Sequence, residues 1–162
     1  MKRKSFTEDA TEVESSYEIK RYSLRSLLKE ISNYFLIDDR ISFEFTKRAG
    51  ALEAVEISLK RFSEVLCLCV ASASDSVSMT YSANRKKATL KLNTILSQDE
   101  MDELVSRASG SGFGIEFSEG SVIISLKIKT GVAVAFYAKT QRIIYNTLKS
   151  EFLSIKNQQV LP

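Results

Sequence analysis

The chain has 162 residues, 44% hydrophobic and 27% charged, with a formal net charge of +3. That is enough for one domain with a proper core and too little for two, in the proportions of an ordinary globular protein. Histidine is absent, which excludes a Ser/His or Cys/His catalytic pair and a phospho-accepting histidine within the chain, and removes the commonest transition-metal ligand.

The modest positive charge permits an anionic partner without arguing for one. No apolar run approaches the ~20 residues needed to span a bilayer. The opening MKRKSFTEDATE lacks the apolar segment of a secretion signal, so the expected location is the cytoplasm. Cys67 and Cys69 stand two apart in a helical pattern; their side chains diverge by ~200° and cannot bridge each other. They are expected as buried structural thiols.

Residues 1–22 read as a flexible tail, basic at Lys2, Arg3 and Lys4 and then acidic, with a short helix or strand near Tyr17 to Tyr22. A single domain follows over residues 23–156, and residues 157–162 form a second tail. Ser23 is an N-cap for a helix with Leu24, Leu27, Leu28, Ile31, Tyr34 and Phe35 on one face. Ile41, Phe43 and Phe45 alternate with polar residues and predict a strand.

The stretch from Leu52 to Asp75 predicts a long central helix. Leu52, Val55, Leu59, Phe62, Leu66 and Val70 recur at steps of three and four. Glu56/Lys60 and Lys60/Glu64 are spaced for ion pairs on its other face. A hairpin comes next, with Val77, Met79 and Tyr81 answered by Ala88, Leu90 and Leu92 across the turn Ala83-Asn84-Arg85-Lys86. Ser97-Gln98-Asp99-Glu100 is a capping box that opens a helix ending at Ser109-Gly110. A second hairpin pairs Phe113, Ile115 and Phe117 with Val122, Ile124, Leu126 and Ile128 around Glu119-Gly120. Thr140 to Ile155 is helical; Val132 to Ala138 reads as helix or strand, with its alanines favouring helix.

This order implies an α+β fold: a two-layer α/β sandwich, with helices on one face of a mixed, mostly antiparallel sheet. A ferredoxin-like fold is the alternative, since it shares the βαββαβ order. Three segments carry a resemblance. SLRSLLKEISNYFLIDDRISFEF, LEAVEISLKRFSEVLCLCVASAS and GSGFGIEFSEGSVIISLKI together resemble the ATP-binding domain of histidine kinases and their relatives, the GHKL family, over Ser23 to Lys129. The resemblance implies a nucleotide-binding fold, yet the residues the family uses are missing. That family holds its metal through an Asn on the central helix, and no Asn occurs between Ala51 and Ala83. It reads adenine through an Asp-x-Gly-x-Gly box, and no Gly lies between Gly50 and Gly110. Leu92 runs into the capping box with no room for an ATP lid. The resemblance therefore implies a degenerate domain that does not bind ATP in the family's way.

Gly110-Ser111-Gly112-Phe113-Gly114 echoes the family's second glycine box. It precedes a strand, whereas phosphate-cradling loops precede a helix, so a helix stop is expected there. The carboxylate pairs Asp38/Asp39, Asp99/Glu100 and Asp102/Glu103 sit at element boundaries, where they serve helix starts. No catalytic residue, metal ligand or cofactor is expected, and the chain reads as non-enzymatic.

The expected function is that of a regulatory or adaptor protein acting by protein–protein contact, with Tyr34, Phe35, Tyr137 and Tyr145 on the outer helices as docking anchors. Self-association stays open. The alternative is a nucleic-acid-binding module using the basic hairpin at Arg85, Lys86, Lys87 and Lys91, with Lys127 and Lys129 beside it.

Overall fold

Alternating apolar and polar residues build two sheets here, and three-and-four spacing builds the helices that cover one of them. In the computed structural model, which describes residues 12–35, 40–45, 49–50, 52–73, 76–130 and 138–160, the order is β1 (Ile19–Ser23), α1 (Leu24–Phe35), β2 (Ile41–Phe45), β3 (Ala54–Ser58), α2 (Leu59–Ala71), β4 (Val77–Ala83), β5 (Lys87–Leu92), α3 (Gln98–Ala108), β6 (Phe113–Ser118), β7 (Ser121–Lys127) and α4 (Ala138–Val160). The main sheet has the order β2-β4-β5-β7-β6; β2 runs parallel to β4 and the other pairs are antiparallel. Strands β1 and β3 form a separate antiparallel pair, joined to the end of the main sheet where Ala54 and Lys129 exchange hydrogen bonds of 2.8 and 2.9 Å.

Val77, Met79, Tyr81, Leu90, Leu92, Ile124 and Leu126 line the inner face and are fully buried. They share one hydrophobic cluster with Leu27 and Ile31 of α1, Phe62 and Leu66 of α2, Leu104 of α3, and Ile144 and Leu148 of α4. On the outer face Ser78, Lys87, Lys91, Glu116 and Lys127 are exposed. This is the α+β two-layer sandwich expected, with a mixed and mostly antiparallel sheet.

The central helix differs from the expectation. Residues 54–58 are strand β3 and the helix begins at Leu59. Val55 and Ile57 flank Glu56, so the apolar pattern suits a strand as well as a helix turn, and pairing with β1 decides it. Ser58 then caps the helix, its hydroxyl accepting from Arg61 N at 3.3 Å. The expected i,i+4 ion pairs do not form. Glu56 instead holds Arg21 at 2.8 Å and Lys129 at 2.7 Å, and Lys60 reaches Glu151 at 3.0 Å.

The N-terminal segment is also more engaged than a free tail. Strand β1 lies across the boundary expected between residues 22 and 23. Ahead of it, Glu14 N donates to Thr147 Oγ1 at 2.9 Å and Asn146 Nδ2 donates to Glu12 O at 3.0 Å. The segment thus runs over α4. At the other end α4 continues to Val160, past the expected tail boundary. Val132 to Tyr137 lie outside the described residues, and Ala138 opens α4.

The Ser97 capping box forms as read from sequence. Ser97 N donates to Glu100 Oε1 at 2.8 Å, and Glu100 N donates to Ser97 Oγ at 3.2 Å. The same carboxylate accepts from Ser72 Oγ at 2.7 Å, tying the end of α2 to the start of α3. The backbone N–H of Ser97, and next the Ser72 hydroxyl, hold the Glu100 carboxyl below its ordinary 4.5. A carboxylate whose folded value is depressed contributes stability above its ordinary value, and loses it as pH falls through the lowered one. Ser97→Ala is expected to cost about 1 kcal/mol in urea denaturation at pH 7. Glu100→Gln is expected to flatten the fall in stability that the parent shows below pH ~4.5.

Candidate functional site

Helix α2 stands where the resemblance would place a nucleotide site, and its side chains serve packing. Cys67 and Cys69 are fully buried. Burial pushes both thiols up, Cys67 well above its ordinary value and Cys69 to about 12, so neither offers a thiolate nucleophile. Cys67 Sγ donates to Leu148 O at 3.6 Å, binding α2 to α4. Beyond the end of α2 opens a cleft of about 380 Å³, lined by Ser72, Ala73, Ser76, Asn93, Thr94, Ile95 and Gly120. Among the described residues that line it, none is charged. Thr94 is buried and its hydroxyl has no hydrogen-bond partner, while Ile95 beside it is 83% exposed. The Asn93–Ser97 connection passes directly from β5 into α3. Among the described residues no group of three or more Cys, Asp or Glu is placed to hold a metal.

Glu64, expected to pair with Lys60, is instead a hub for two arginines. Its carboxylate is 5% exposed and accepts from Arg61 and Arg107, each at 2.8 Å. The Tyr17 hydroxyl donates to its second oxygen at 3.3 Å, and the Arg61 guanidinium lies 4.0 Å from the Tyr17 ring centre. One carboxylate thereby joins α2, α3 and the N-terminal segment. Of these partners Arg61, three residues before it, is the local one; Arg107 and Tyr17 are distant in sequence.

The expected docking anchors separate. Phe35 is 2% exposed and belongs to the core, so it is no surface anchor. Tyr34 and Tyr145 are half-buried, meeting edge to face at 5.5 Å, with Phe152 6.0 Å from Tyr34. Leu153, next on α4, is 47% exposed. Tyr137 lies outside the described residues. The outer helices are not surplus to the sandwich, since Ile144 and Leu148 of α4 are buried against it.

The basic residues also divide. Lys86 lies in the β4–β5 turn, where Asn84 Oδ1 accepts from Lys86 N and Lys87 N at 2.8 Å each. Lys86, Lys87 and Lys127 come together around a groove of about 430 Å³. Arg85 sits at the same turn. Lys91 is further along the outer face, opposite Thr80 and Ile123. Lys129 is paired with Glu56.

No protein-family model and no curated protein matches the chain. Among solved structures it is similar to histidine kinase catalytic domains. The catalytic domain of histidine kinase ThkA is 16% identical, the match covering 70% of this chain and 96% of that one with a TM-score of 0.43. The histidine kinase domain of the E. coli osmosensor EnvZ is 13% identical over 75% of this chain and 94% of its own, with a TM-score of 0.44. The cytoplasmic segment of histidine kinase QseC is 9% identical over 76% and 87%, with a TM-score of 0.42. The likeness concerns the layout of strands and helices alone. Among the described residues no helix is long and apolar enough to cross a membrane.

Proposed function

We propose that the protein is a non-catalytic regulatory protein that acts by protein–protein contact on a kinase-ATPase-like fold that does not use ATP. The observation that carries this reading is the cleft at the end of α2. Among the described residues that line it no side chain is charged, so these residues offer neither a cation for phosphates nor a carboxylate for a metal. The surface for the partner is the seam between α1 and α4, where Tyr34 and Tyr145 are half-buried beside the exposed Leu153. Aromatic side chains with one face packed and the other open are well suited to anchor a protein interface.

Thermal melting with ATP and magnesium tests the first half. A ligand at a hundred times its Kd stabilises by about 2.7 kcal/mol, which for a chain of this size raises Tm by roughly 5–10 °C. No rise is expected; a clear rise overturns the reading. A photo-crosslinking residue at position 145, expressed in the native host, tests the second half. One discrete adduct is expected there and none from position 106, which is exposed on α3. Equal labelling from both positions counts against the seam.

A further inference from the structure

Three lysines without a counter-charge meet at one corner of the main sheet. Lys86 occupies the β4–β5 turn, Lys87 begins β5 and Lys127 ends β7. The register sets Lys87 directly opposite Lys127, and like charges facing each other across a strand pair repel. Elsewhere, carboxylates pair with Lys20, Arg21, Lys60, Arg61, Arg107 and Lys129. Among the described residues no carboxylate pairs with Arg85, Lys86, Lys87, Lys91 or Lys127. Close by, Arg21 and Lys129 share the single carboxylate of Glu56, which leaves a further net positive charge.

The three lysines line the mouth of the groove of about 430 Å³ together with Ser125, Gly112 and Gly114, and the buried Phe113 and Leu126 form the rest of its lining. The Ser125 hydroxyl has no hydrogen-bond partner. From this corner the outer face continues through Thr89, Ser82, Thr80 and Lys91, which neighbour one another in the β4–β5 register. Lys87 and Lys91 are ~13 Å apart along an extended strand.

We propose that this corner and the adjoining sheet face bind the phosphate backbone of a nucleic acid, without reading its bases. Charge complementarity and donor chemistry argue for phosphate. The surface offers ammonium groups, hydroxyls and a glycine backbone, which is the set that contacts phosphate and sugar. Among the described residues the exposed large hydrophobics are Val13, Tyr17, Ile19, Leu52, Ile95, Val105 and Leu153; none lies on the outer face of β4 to β7, where Ile123 is half-buried opposite Lys91. A protein partner would need an apolar anchor there, and base readout of single strands would need an aromatic platform. The face also lies across the sheet from the α1–α4 seam, so it is separate from the protein contact proposed above.

The test is fluorescence anisotropy of the full chain with a labelled random-sequence DNA, titrated over a range of salt. Binding is expected at low salt, falling linearly on a log–log plot as counterions are released. The triple variant Lys86→Gln/Lys87→Gln/Lys127→Gln is expected to bind at least tenfold more weakly, with a slope shallower by about 2–3. Lys127→Gln alone is expected to remove about 1 from the slope, whereas Lys149→Gln on α4 changes neither quantity. The Tm of the triple variant is expected to hold or rise, because the Lys87–Lys127 repulsion is gone. Polyglutamate of matched charge and phosphatidylserine vesicles are expected to displace the DNA poorly. No binding at low salt overturns the proposal, as does binding that survives the triple substitution. Displacement by polyglutamate or vesicles as effective as by unlabelled DNA overturns it too, in favour of an acidic protein or a membrane surface.

Discussion

Gly112→Ala is expected to destabilise the protein by about 2–5 kcal/mol, read as a fall in the urea midpoint at unchanged slope. Two separate causes add at this residue. Its φ is +88°, where a side chain costs ~1–2 kcal/mol. A methyl group there would also stand 2.3 Å from Glu56 O and 3.0 Å from Ile57 Cα. These are backbone atoms of β3, so no side chain can swing aside. Ser58 N donates to Ser111 O at 2.9 Å and holds the loop against that strand. Gly110→Ala is the control. Its φ is +68°, yet a methyl group there would meet nothing within 4 Å, so only the backbone cost of ~1–2 kcal/mol is expected. Equal losses at the two positions would mean that the loop does not press on β3.

That contact also shows where sequence stops being informative. The glycine loop reads correctly as a helix stop that enters a strand, because a turn and an alternating run are local signals. The strand that it presses against does not read. Residues 54–58 alternate and also fit the three-and-four spacing of the helix behind them, so the pattern from Leu52 onward runs two elements into one. The choice falls to the pairing with β1, whose partners stand some 31 to 39 residues earlier in the chain. Once 54–58 is a strand, Glu56 faces Arg21 and Lys129 rather than Lys60, and the expected ladder of i,i+4 pairs disappears.

The hairpins and the capping box read well because their partners are neighbours in sequence. Glu64 and Thr94 do not, for the opposite reason. Glu64 needs Arg107, 43 residues away, to be worth burying. Thr94 follows β5 in a polar connection and is buried by the fold around it. Of the site residues, the three lysines were legible as a basic hairpin with a basic strand beside it. What made them a corner was the β5–β7 register that sets Lys87 against Lys127, and no spacing rule supplies a register between non-consecutive strands.

Phe62→Ala is expected to cost about 3–5 kcal/mol, the range for emptying a large aromatic site in a core. Phe62 is fully buried on α2, and its ring meets Phe113 edge to face at 5.6 Å and 89°. Phe113 follows Gly112 directly, so the two expected losses converge on the place where α2, the glycine loop and β6 meet. They are distinguishable by volume. Phe62→Leu keeps most of the packing and loses the ring contact, and is expected to cost less than Phe62→Ala by at least ~1.5 kcal/mol. No such rescue by a larger residue exists at Gly112, where every side chain adds to the same clash. Domains of this size are stable by only ~5–15 kcal/mol, so Phe62→Ala can leave a visible unfolded fraction at 37 °C, whereas Phe62→Leu stays folded. DNA binding should then follow the lysines and not the core, with Phe62→Leu retaining the affinity and salt slope of the parent. A small loss for Phe62→Ala, below ~1.5 kcal/mol, would mean that α2 does not present this face to β6, and the helix boundary at Leu59 would fall with it.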